Sequence, residues 1–263
     1  MEQMRAKEII QKLEILSPLQ YAEKWDNSGW QCGRGEKEVQ KILLAVDATD
    51  EVVDEAILSE ADLLITHHPL IFPSVSKITD QDFIGRRLLK LLQADICLYA
   101  MHTNFDVMGM ADEAADRLDL RNRKVLDILY EDEISSEGIG RIGRLPNTLS
   151  LRETAELVKE TFLLDSVRVY GDLDKRIEWA AISPGSGKKM SAKAIAGHAD
   201  VLITGDIDHH EGIDSVARGL SIIDAGHFGI EKIFISYMKN YFLHELPDIT
   251  VVAASQNEPF QMV

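Results

Sequence analysis

The 263-residue sequence is poor in cysteine, in long apolar runs and in positive charge. Its two cysteines, Cys32 and Cys97, lack a CxxC partner, so neither a disulfide framework nor a thiolate zinc site is expected. No apolar run reaches the roughly 18 residues that a membrane-spanning helix needs. The first residues, MEQMRAKEIIQKLEIL, mix charged and apolar side chains at helical spacing, unlike a secretory signal. We therefore expect a cytoplasmic protein with no membrane partner.

Acidic residues outnumber basic ones, 44 to 28, which gives a formal net charge of −16. Because no basic block offsets this charge, duplex nucleic acid is not expected as a partner. A small anionic ligand stays compatible with the composition, since bound metal ions reverse the local field. The apolar fraction of 45% is that of an ordinary globular protein.

Strand-like and helix-like segments alternate along the chain. Apolar strands are predicted at 41–47, 62–66 and 95–101, with helices between them at 50–59 and 81–93. Strands separated by helices are typical of parallel βαβ units with right-handed crossovers. The sequence therefore predicts an α/β fold.

The second half of the chain repeats this plan. The segment 199–204 (ADVLIT) matches 61–66 (ADLLIT) almost letter for letter. In both halves a histidine after the next strand is followed four residues later by a carboxylate: His102 and Asp106, then His227 and Glu231. The simplest explanation of these repeated segments is a pair of related lobes that face each other.

The predicted lobes occupy residues 1–130 and 166–263. A short connection at 131–165 joins them, because the stretch 130–147 is charged and contains glycine. A helix is predicted from Leu151 to Leu163.

Polar clusters directly follow the predicted strands, where α/β sheets bind ligands. The first cluster is the pair His67 and His68, and neutral imidazole is the commonest transition-metal ligand. In the second, Asp106 is the candidate ligand, with His102 and Asn104 as hydrogen-bonding neighbours. The simpler alternatives are a pair of loop histidines and an aspartate that caps a helix starting near residue 110.

The third cluster places His227 and Glu231 on one face of a helix that begins at about Phe228. The simpler alternative is an ordinary helix start with a solvated glutamate. Together the clusters offer three imidazoles and two carboxylates, which fit two ions sharing a carboxylate and a water. Such mixed ligands suit zinc, iron, manganese, cobalt or nickel. We predict two divalent ions per chain, held by His67, His68, Asp106, His227 and Glu231.

Three further segments have less specific patterns. Asp206, His209 and His210 follow the second-lobe strand, either facing the same cleft or lying solvated at a helix start. The turn 183–187 (SPGSG) has the glycines of a phosphate-binding loop but no Walker lysine pattern. The turn 25–30 (WDNSGW) either borders the site or packs its tryptophans on the core.

Five segments, WDNSGWQCG, ITHHPLIF, HTNFD, TGDIDHH and GHFGIEK, occur in this order. Together they resemble the dinuclear-metal family of GTP cyclohydrolase I type 2 homologues, also called the NIF-three-like family, over nearly the whole chain. The resemblance implies two related α/β lobes with the metals between them, and a homohexameric ring with metal sites facing an inner cavity. It implies the same five metal ligands, with Glu231 as the bridge. Longer members carry an inserted domain, for which the segment between Asp132 and Ser166 is too short.

The family name implies a metal-dependent hydrolase, in which metal-activated water opens the imidazole ring of GTP with loss of formate. A small anionic nucleotide is then the expected substrate. In this hypothesis His102 or His210 moves protons, since imidazole titrates near neutral pH. The alternative is a non-catalytic metal-binding regulator, metallochaperone or scaffold in a ring oligomer, because nothing in the sequence requires turnover.

Overall fold

The computed structural model describes residues 4–261, and the chain divides into two compact units. The first unit runs to Phe105 and resumes at Phe234, and the second is Asp106–Ile233. Each unit has its own sheet, so the predicted α/β class with two lobes is confirmed. This division differs from the predicted bounds at 130 and 166, and the chain returns to the first unit for its last helix and strand.

A five-stranded sheet forms the centre of the first unit. The strands are β1 (Gly29–Cys32), β2 (Lys41–Ala45), β3 (Leu63–Thr66), β4 (Cys97–Ala100) and β11 (Thr250–Ala253). Their order is β1-β4-β3-β2-β11; β4, β3, β2 and β11 run parallel, and β1 pairs antiparallel with β4 at the edge. Because β3 and β4 are buried on both faces, their sequences are continuous apolar runs.

The helices of the first unit begin where side chains can satisfy their first N–H groups. Thr49 Oγ1 accepts from the N–H of Val52, and Asp82 Oδ1 accepts from the N–H of Gly85. The helices are α1 (Ala6–Leu16), α2 (Asp50–Leu58), α3 (Phe83–Gln93), α4 (Thr103–Phe105) and α10 (Ile233–Glu245), with a 3₁₀ turn at Leu19–Tyr21.

The second unit is built on a six-stranded sheet of order β5-β6-β8-β9-β10-β7. Its strands are β5 (Arg121–Glu131), β6 (Ser136–Ser150), β7 (Arg168–Tyr170), β8 (Arg176–Ser186), β9 (Val201–Gly205) and β10 (Ser221–Asp224). The strands β8, β9 and β10 are parallel, and the remaining pairings are antiparallel.

Helices of the second unit connect these strands. They are α5 (Ala111–Arg117), α6 (Leu151–Phe162), α7 (Met190–Ala196), α8 (His209–Ala217) and α9 (His227–Glu231), with a π-helical segment at Asp106–Met110. A capping box between Ser150 and Glu153 starts α6, close to the predicted position. Within residues 4–261, no helix has both the length and the apolar character required to cross a membrane.

The predicted connection at 131–165 is a structured part of the second unit. It contains β6, which pairs antiparallel with β5 and β8, and the helix α6. The glycines that suggested a loop allow strands to approach closely. A Cβ at Gly138 would lie 1.9 Å from the carbonyl oxygen of Asp127, and Gly140 has a φ of +69°.

Hydrogen bonding confirms the internal repeat. In each unit an aspartate before the middle parallel strand accepts two successive backbone N–H groups, from residues 40 and 41 at the start of β2 and from residues 178 and 179 within β8. This residue is Asp62 in the first unit and Asp200 in the second. Two residues earlier, Glu60 and His198 have matching left-handed backbone, with φ values of 55° and 62°.

Strand register corrects one detail of the predicted repeat. The middle strands contain corresponding threonines, Thr66 and Thr204, whose partners are Ala100 in the first unit and Asp224 in the second. Counting onward, His227 corresponds to Thr103, and not to His102 as predicted. The two histidines followed by carboxylates therefore occupy positions that differ by one residue.

Candidate metal centre

His67 and His68 lie directly after β3, at the carboxyl end of the first unit's parallel strands. Their N–H groups donate to the carbonyls of Ala45 (3.2 Å) and Val46 (2.9 Å), which extends the ladder past the strand. The chain then turns, with the Thr66 hydroxyl donating to the carbonyl of His68 at 2.7 Å. The imidazole of His67 is 0% exposed, and its centroid lies 4.9 Å from that of His68.

His102 joins this pair from the loop after β4. Its ring centroid is 5.4 Å from that of His67 and 5.3 Å from that of His68. One ring nitrogen from each of the three lies within 4.8 Å of the others. We call these three residues the histidine group. Sequence reasoning gave His102 a proton-transfer role, and its position supports either that role or metal binding.

Each imidazole of the histidine group is held by an oxygen acceptor at Nδ1. The pairs are His67 with the Met101 carbonyl (2.7 Å), His68 with Asp47 Oδ1 (2.8 Å) and His102 with Asp26 Oδ1 (2.7 Å). Because these oxygens only accept, the network assigns the proton to Nδ1 and the lone pair to Nε2. An oxygen acceptor on the distal nitrogen is the arrangement that orients metal-binding histidines.

Asp26 is a buried anchor for His102, since its side chain is 0% exposed. Burial raises the pKa of this carboxyl, but the hydrogen bond and charge of His102 act against burial. Together with hydrogen bonds from Ser28 and Thr103, they hold the pKa of Asp26 well below its usual range. The sequence pattern singled out the turn around Asp26 but did not predict that Asp26 accepts from a histidine. It gave no signal for the same role of Asp47.

The second unit presents His227 and Glu231 from the two ends of α9. The Nδ1 of His227 lies 2.7 Å from Asp206 Oδ2, so this histidine has the same kind of anchor as the histidine group. Its Nε2 lies 3.2 Å from Glu231 Oε2, and Glu231 is only 3% exposed. Two donor atoms at this separation can bind the same metal ion.

Gly185 at the end of β8 makes room for the Glu231 carboxylate. Its φ is +75°, and a Cβ at this position would lie 2.5 Å from Glu231 Oε1 and 3.7 Å from His227 Nε2. A side chain there would therefore displace the carboxylate. The SPGSG turn, considered as a phosphate cradle, lies largely within β8 and lets the backbone approach these donor atoms.

Asp106 is the first residue of the π-helical segment Asp106–Met110, which follows α4 without a break. The helical segment begins at Thr103, so Asp106 does not cap a helix starting near residue 110. Single π-helical turns inside α-helices recur at functional sites. This placement removes the capping alternative for Asp106.

His209 and His210 are the first two residues of α8, and both are exposed. Their rings lie 5.3 Å apart. Among residues 4–261, no group of three close metal-ligand side chains includes either of them. The proton-transfer role of His210 stays a prediction.

The donor chemistry fits a divalent transition metal, and thiolate ligation is unfavourable. Imidazole nitrogen and carboxylate oxygen are the ligands that zinc, iron, manganese, cobalt and nickel accept. Burial raises the pKa of the Cys32 thiol to about 12, and the neighbouring Cys97 adds to this rise. Both cysteines are free thiols.

Known proteins match nearly the whole chain. The family described as Duf34/NIF3 (NGG1p interacting factor 3) matches residues 4–259. A Clostridium acetobutylicum protein named "GTP cyclohydrolase 1 type 2 homolog" is 33% identical over 259 residues, which is 97% of this chain and 96% of the relative. A Clostridium perfringens protein of the same name is 37% identical over 230 residues, 87% of each chain.

A solved structure gives the same result for the fold. The Bacillus cereus protein related to NIF3 matches with a TM-score of 0.90 at 25% identity, covering 100% of both chains. The family match and the identity of these relatives confirm the resemblance seen in the five sequence segments. The chain belongs to the Duf34/NIF3 family.

Proposed function

We propose that this protein binds two divalent metal ions and hydrolyses a purine nucleotide with metal-activated water. The observation that carries the proposal is the shared arrangement of four histidines, whose Nδ1 atoms are each held by an oxygen acceptor. This arrangement orients imidazole for metal binding at Nε2. The proposed ligands are His67, His68, Asp106, His227 and Glu231.

The proposal requires both units to supply ligands to one centre, and the path of the chain supports this. The chain leaves the first unit after Phe105 and returns at Phe234. The ring of Phe234 lies 5.3 Å from that of Phe105 and 5.6 Å from that of His67. Asp106 follows Phe105 directly, and Glu231 precedes Phe234 by three residues, at most about 11 Å of chain. Both proposed carboxylate ligands are therefore close in sequence to the points where the chain leaves and re-enters the first unit.

Charge supports an anionic substrate. When bound, two divalent ions lower the pKa of water and orient an electrophile. Three of the proposed ligands are neutral imidazoles and two are carboxylates, so the centre keeps a net positive charge within a chain of net charge −16. A nucleotide phosphate is attracted to such a centre and repelled by the surrounding surface.

His102 and Asp26 are placed to move a proton. The Nδ1–H of His102 donates to Asp26, so the Nε2 atom is the one that can accept a proton from the reacting water. The buried Asp26 carboxylate stabilises the imidazolium that forms. His102 then returns the proton to the leaving nitrogen of the opened ring.

Metal content and turnover test the proposal together. We expect about two metal equivalents per chain by elemental analysis, and hydrolysis of GTP or a related nucleotide from a panel that also contains phosphodiesters. His68→Ala should lose metal and turnover. The matched control is His244→Ala, because His244 lies exposed near the end of α10.

The outcomes separate the two candidate roles. Two equivalents of metal without turnover on the panel would replace the hydrolase with a metal-binding regulator, metallochaperone or scaffold. A wild-type chain that takes up no added metal would contradict both roles. The homohexameric ring implied by the resemblance is part of the proposal, and light scattering should give about six times the mass of one chain.

A further inference from the structure

Two exposed aromatic side chains lie beside the histidine group. Trp25 is 59% exposed and Phe72 is 51% exposed, and their ring centroids are 5.8 Å apart. Both contact the ring of His102, at centroid distances of 5.9 Å and 6.1 Å. We call Trp25 and Phe72 the aromatic pair. An apolar surface of this kind next to a polar site is typical of ligand-binding sites.

Hydrogen bonds hold the aromatic pair in position. The side-chain amide of Asn27 donates to the carbonyl of Ile71 at 2.5 Å, and the N–H of Ile71 donates to Gln31 Oε1 at 3.1 Å. Gln31 Nε2 donates in turn to the carbonyl of Asn27 at 2.7 Å. These bonds tie the residue before Phe72 to the turn that carries Trp25. A surface ordered in advance loses little conformational entropy when a ligand binds.

We propose that the aromatic pair binds the planar heteroaromatic ring of the ligand. This rests on the proposed function and names the part of the substrate that the first unit recognises. Tryptophan and phenylalanine offer a flat π surface on which a purine base can stack. Because His102 contacts both rings, a base stacked on the aromatic pair lies next to the histidine group.

Two probes that differ only in the base test this inference. Guanosine monophosphate and ribose 5-phosphate share the sugar and the phosphate, so their difference in affinity reports base binding. Calorimetry on the metal-loaded protein should show the nucleotide binding about tenfold more tightly, the scale of one stacked base. Equal affinities in the wild type would overturn the inference.

Variants of the aromatic pair locate the base. Trp25→Ala and Phe72→Ala should each weaken nucleotide binding about tenfold and leave ribose 5-phosphate binding unchanged. Trp25→Phe should keep most of the preference, because an aromatic face remains. The matched control is Trp30→Ala, since Trp30 is an exposed tryptophan of the same turn whose Nε1 donates to the Cys32 carbonyl. A loss of base preference in this control as well would contradict the assignment to Trp25.

Metal content keeps this test separate from the test of the proposed function. Two metal equivalents with no base preference would overturn the role of the aromatic pair and leave the metal centre intact. Without metal uptake the proposed function fails, and the base preference is then measured on the metal-free chain. A Trp25→Ala variant that changes the molar mass while keeping its base preference would make the aromatic pair a contact between copies of the chain.

Discussion

After the corresponding threonines of the two middle strands, Thr66 and Thr204, the first unit continues with His67 and His68, whereas the second continues with Gly205 and Asp206. The strands themselves correspond residue by residue, and so do their registers with the next strand. The identity of the candidate ligands is therefore set within the few residues that follow each of these threonines. The strands provide position, and the loop residues provide the chemistry.

The carboxylates of the two units also differ in their roles. In the first unit Asp47 and Asp26 accept hydrogen bonds from the Nδ1 atoms of His68 and His102, so these carboxylates orient members of the histidine group. In the second unit Asp206 has the same supporting role, but its histidine is paired with the buried carboxylate of Glu231. The first unit supplies nitrogen donors, and the second adds negative charge. The proposed centre needs both contributions to hold two dications.

The largest effect is expected when the charge supplied by the second unit is removed. Glu231→Gln keeps the size of the side chain but cannot bridge two cations, so metal content should fall from two equivalents per chain to one or fewer. Elemental analysis after dialysis measures this. Glu156→Gln is the control, because Glu156 is an exposed glutamate on α6 of the same unit. Two equivalents retained in Glu231→Gln would exclude the bridging role.

The next largest effect is expected on stability, when the corresponding aspartates of the two units, Asp62 and Asp200, are replaced. Asp62→Ala and Asp200→Ala each leave two backbone N–H groups without their carboxylate acceptor, at a cost of about 2 kcal/mol. Asp62 also pairs with Lys37 at 3.1 Å, so its loss should cost up to about 1 kcal/mol more. Urea unfolding of the metal-free protein measures both. A marked loss in only one variant would show that the two aspartates are not equivalent.

Parallel strands were the part of the fold that could be predicted from the sequence. The predicted strand at 62–66 corresponds to β3 (Leu63–Thr66), and the predicted helix at 81–93 corresponds to α3 (Phe83–Gln93). These elements are recognisable because a strand buried on both faces is an apolar run, and an amphipathic helix has a clear period. By contrast, β5 and β6 were missed, since they have exposed charged residues and β6 contains glycines.

The candidate site likewise contains residues that the sequence predicted and residues that it did not. His67 and His68 were predicted because adjacent histidines after a strand are a local pattern. Asp26 and Asp47 were not predicted as anchors, because each meets its histidine from a distant part of the chain. The protonated ring nitrogen depends on that distant acceptor, so no local pattern could assign it. Local motifs therefore suggest candidate ligands, and only the folded structure shows the groups that orient them.

A smaller effect is expected from Gly185→Ala, which crowds the Glu231 carboxylate. The added Cβ meets Glu231 Oε1 at 2.5 Å, and a φ of +75° adds backbone strain of about 1–2 kcal/mol. Gly219→Ala is the control, because Gly219 has a φ of +90° and no atom within 4 Å of an added Cβ. Both variants should lose similar stability, but only Gly185→Ala should bind metal more weakly. Equal metal affinity in the two variants would contradict the inference that Gly185 makes room for the Glu231 carboxylate.

The smallest effect on metal affinity is expected when the aspartates that accept from histidine Nδ1, Asp47 and Asp206, are replaced. The effect should be larger for Asp47, in the first unit. Asparagine is the matched substitution at both positions, because Asp206 has a φ of 57°, where asparagine is tolerated better than alanine. Asp47→Asn and Asp206→Asn keep an acceptor for Nδ1 but remove its charge. The imidazole then becomes a weaker ligand, and metal affinity should fall about tenfold, the lower end of the effect of such anchors.

The difference between the two anchors follows from exposure to water. His68 is more buried than His227, and Asp47 is more buried than Asp206, so water screens the first pair less. Competition titration with a chromophoric chelator resolves a difference of this size. A larger loss in Asp206→Asn would reverse the order, and it would mean that metal binding by the second unit depends more strongly on the orientation of His227.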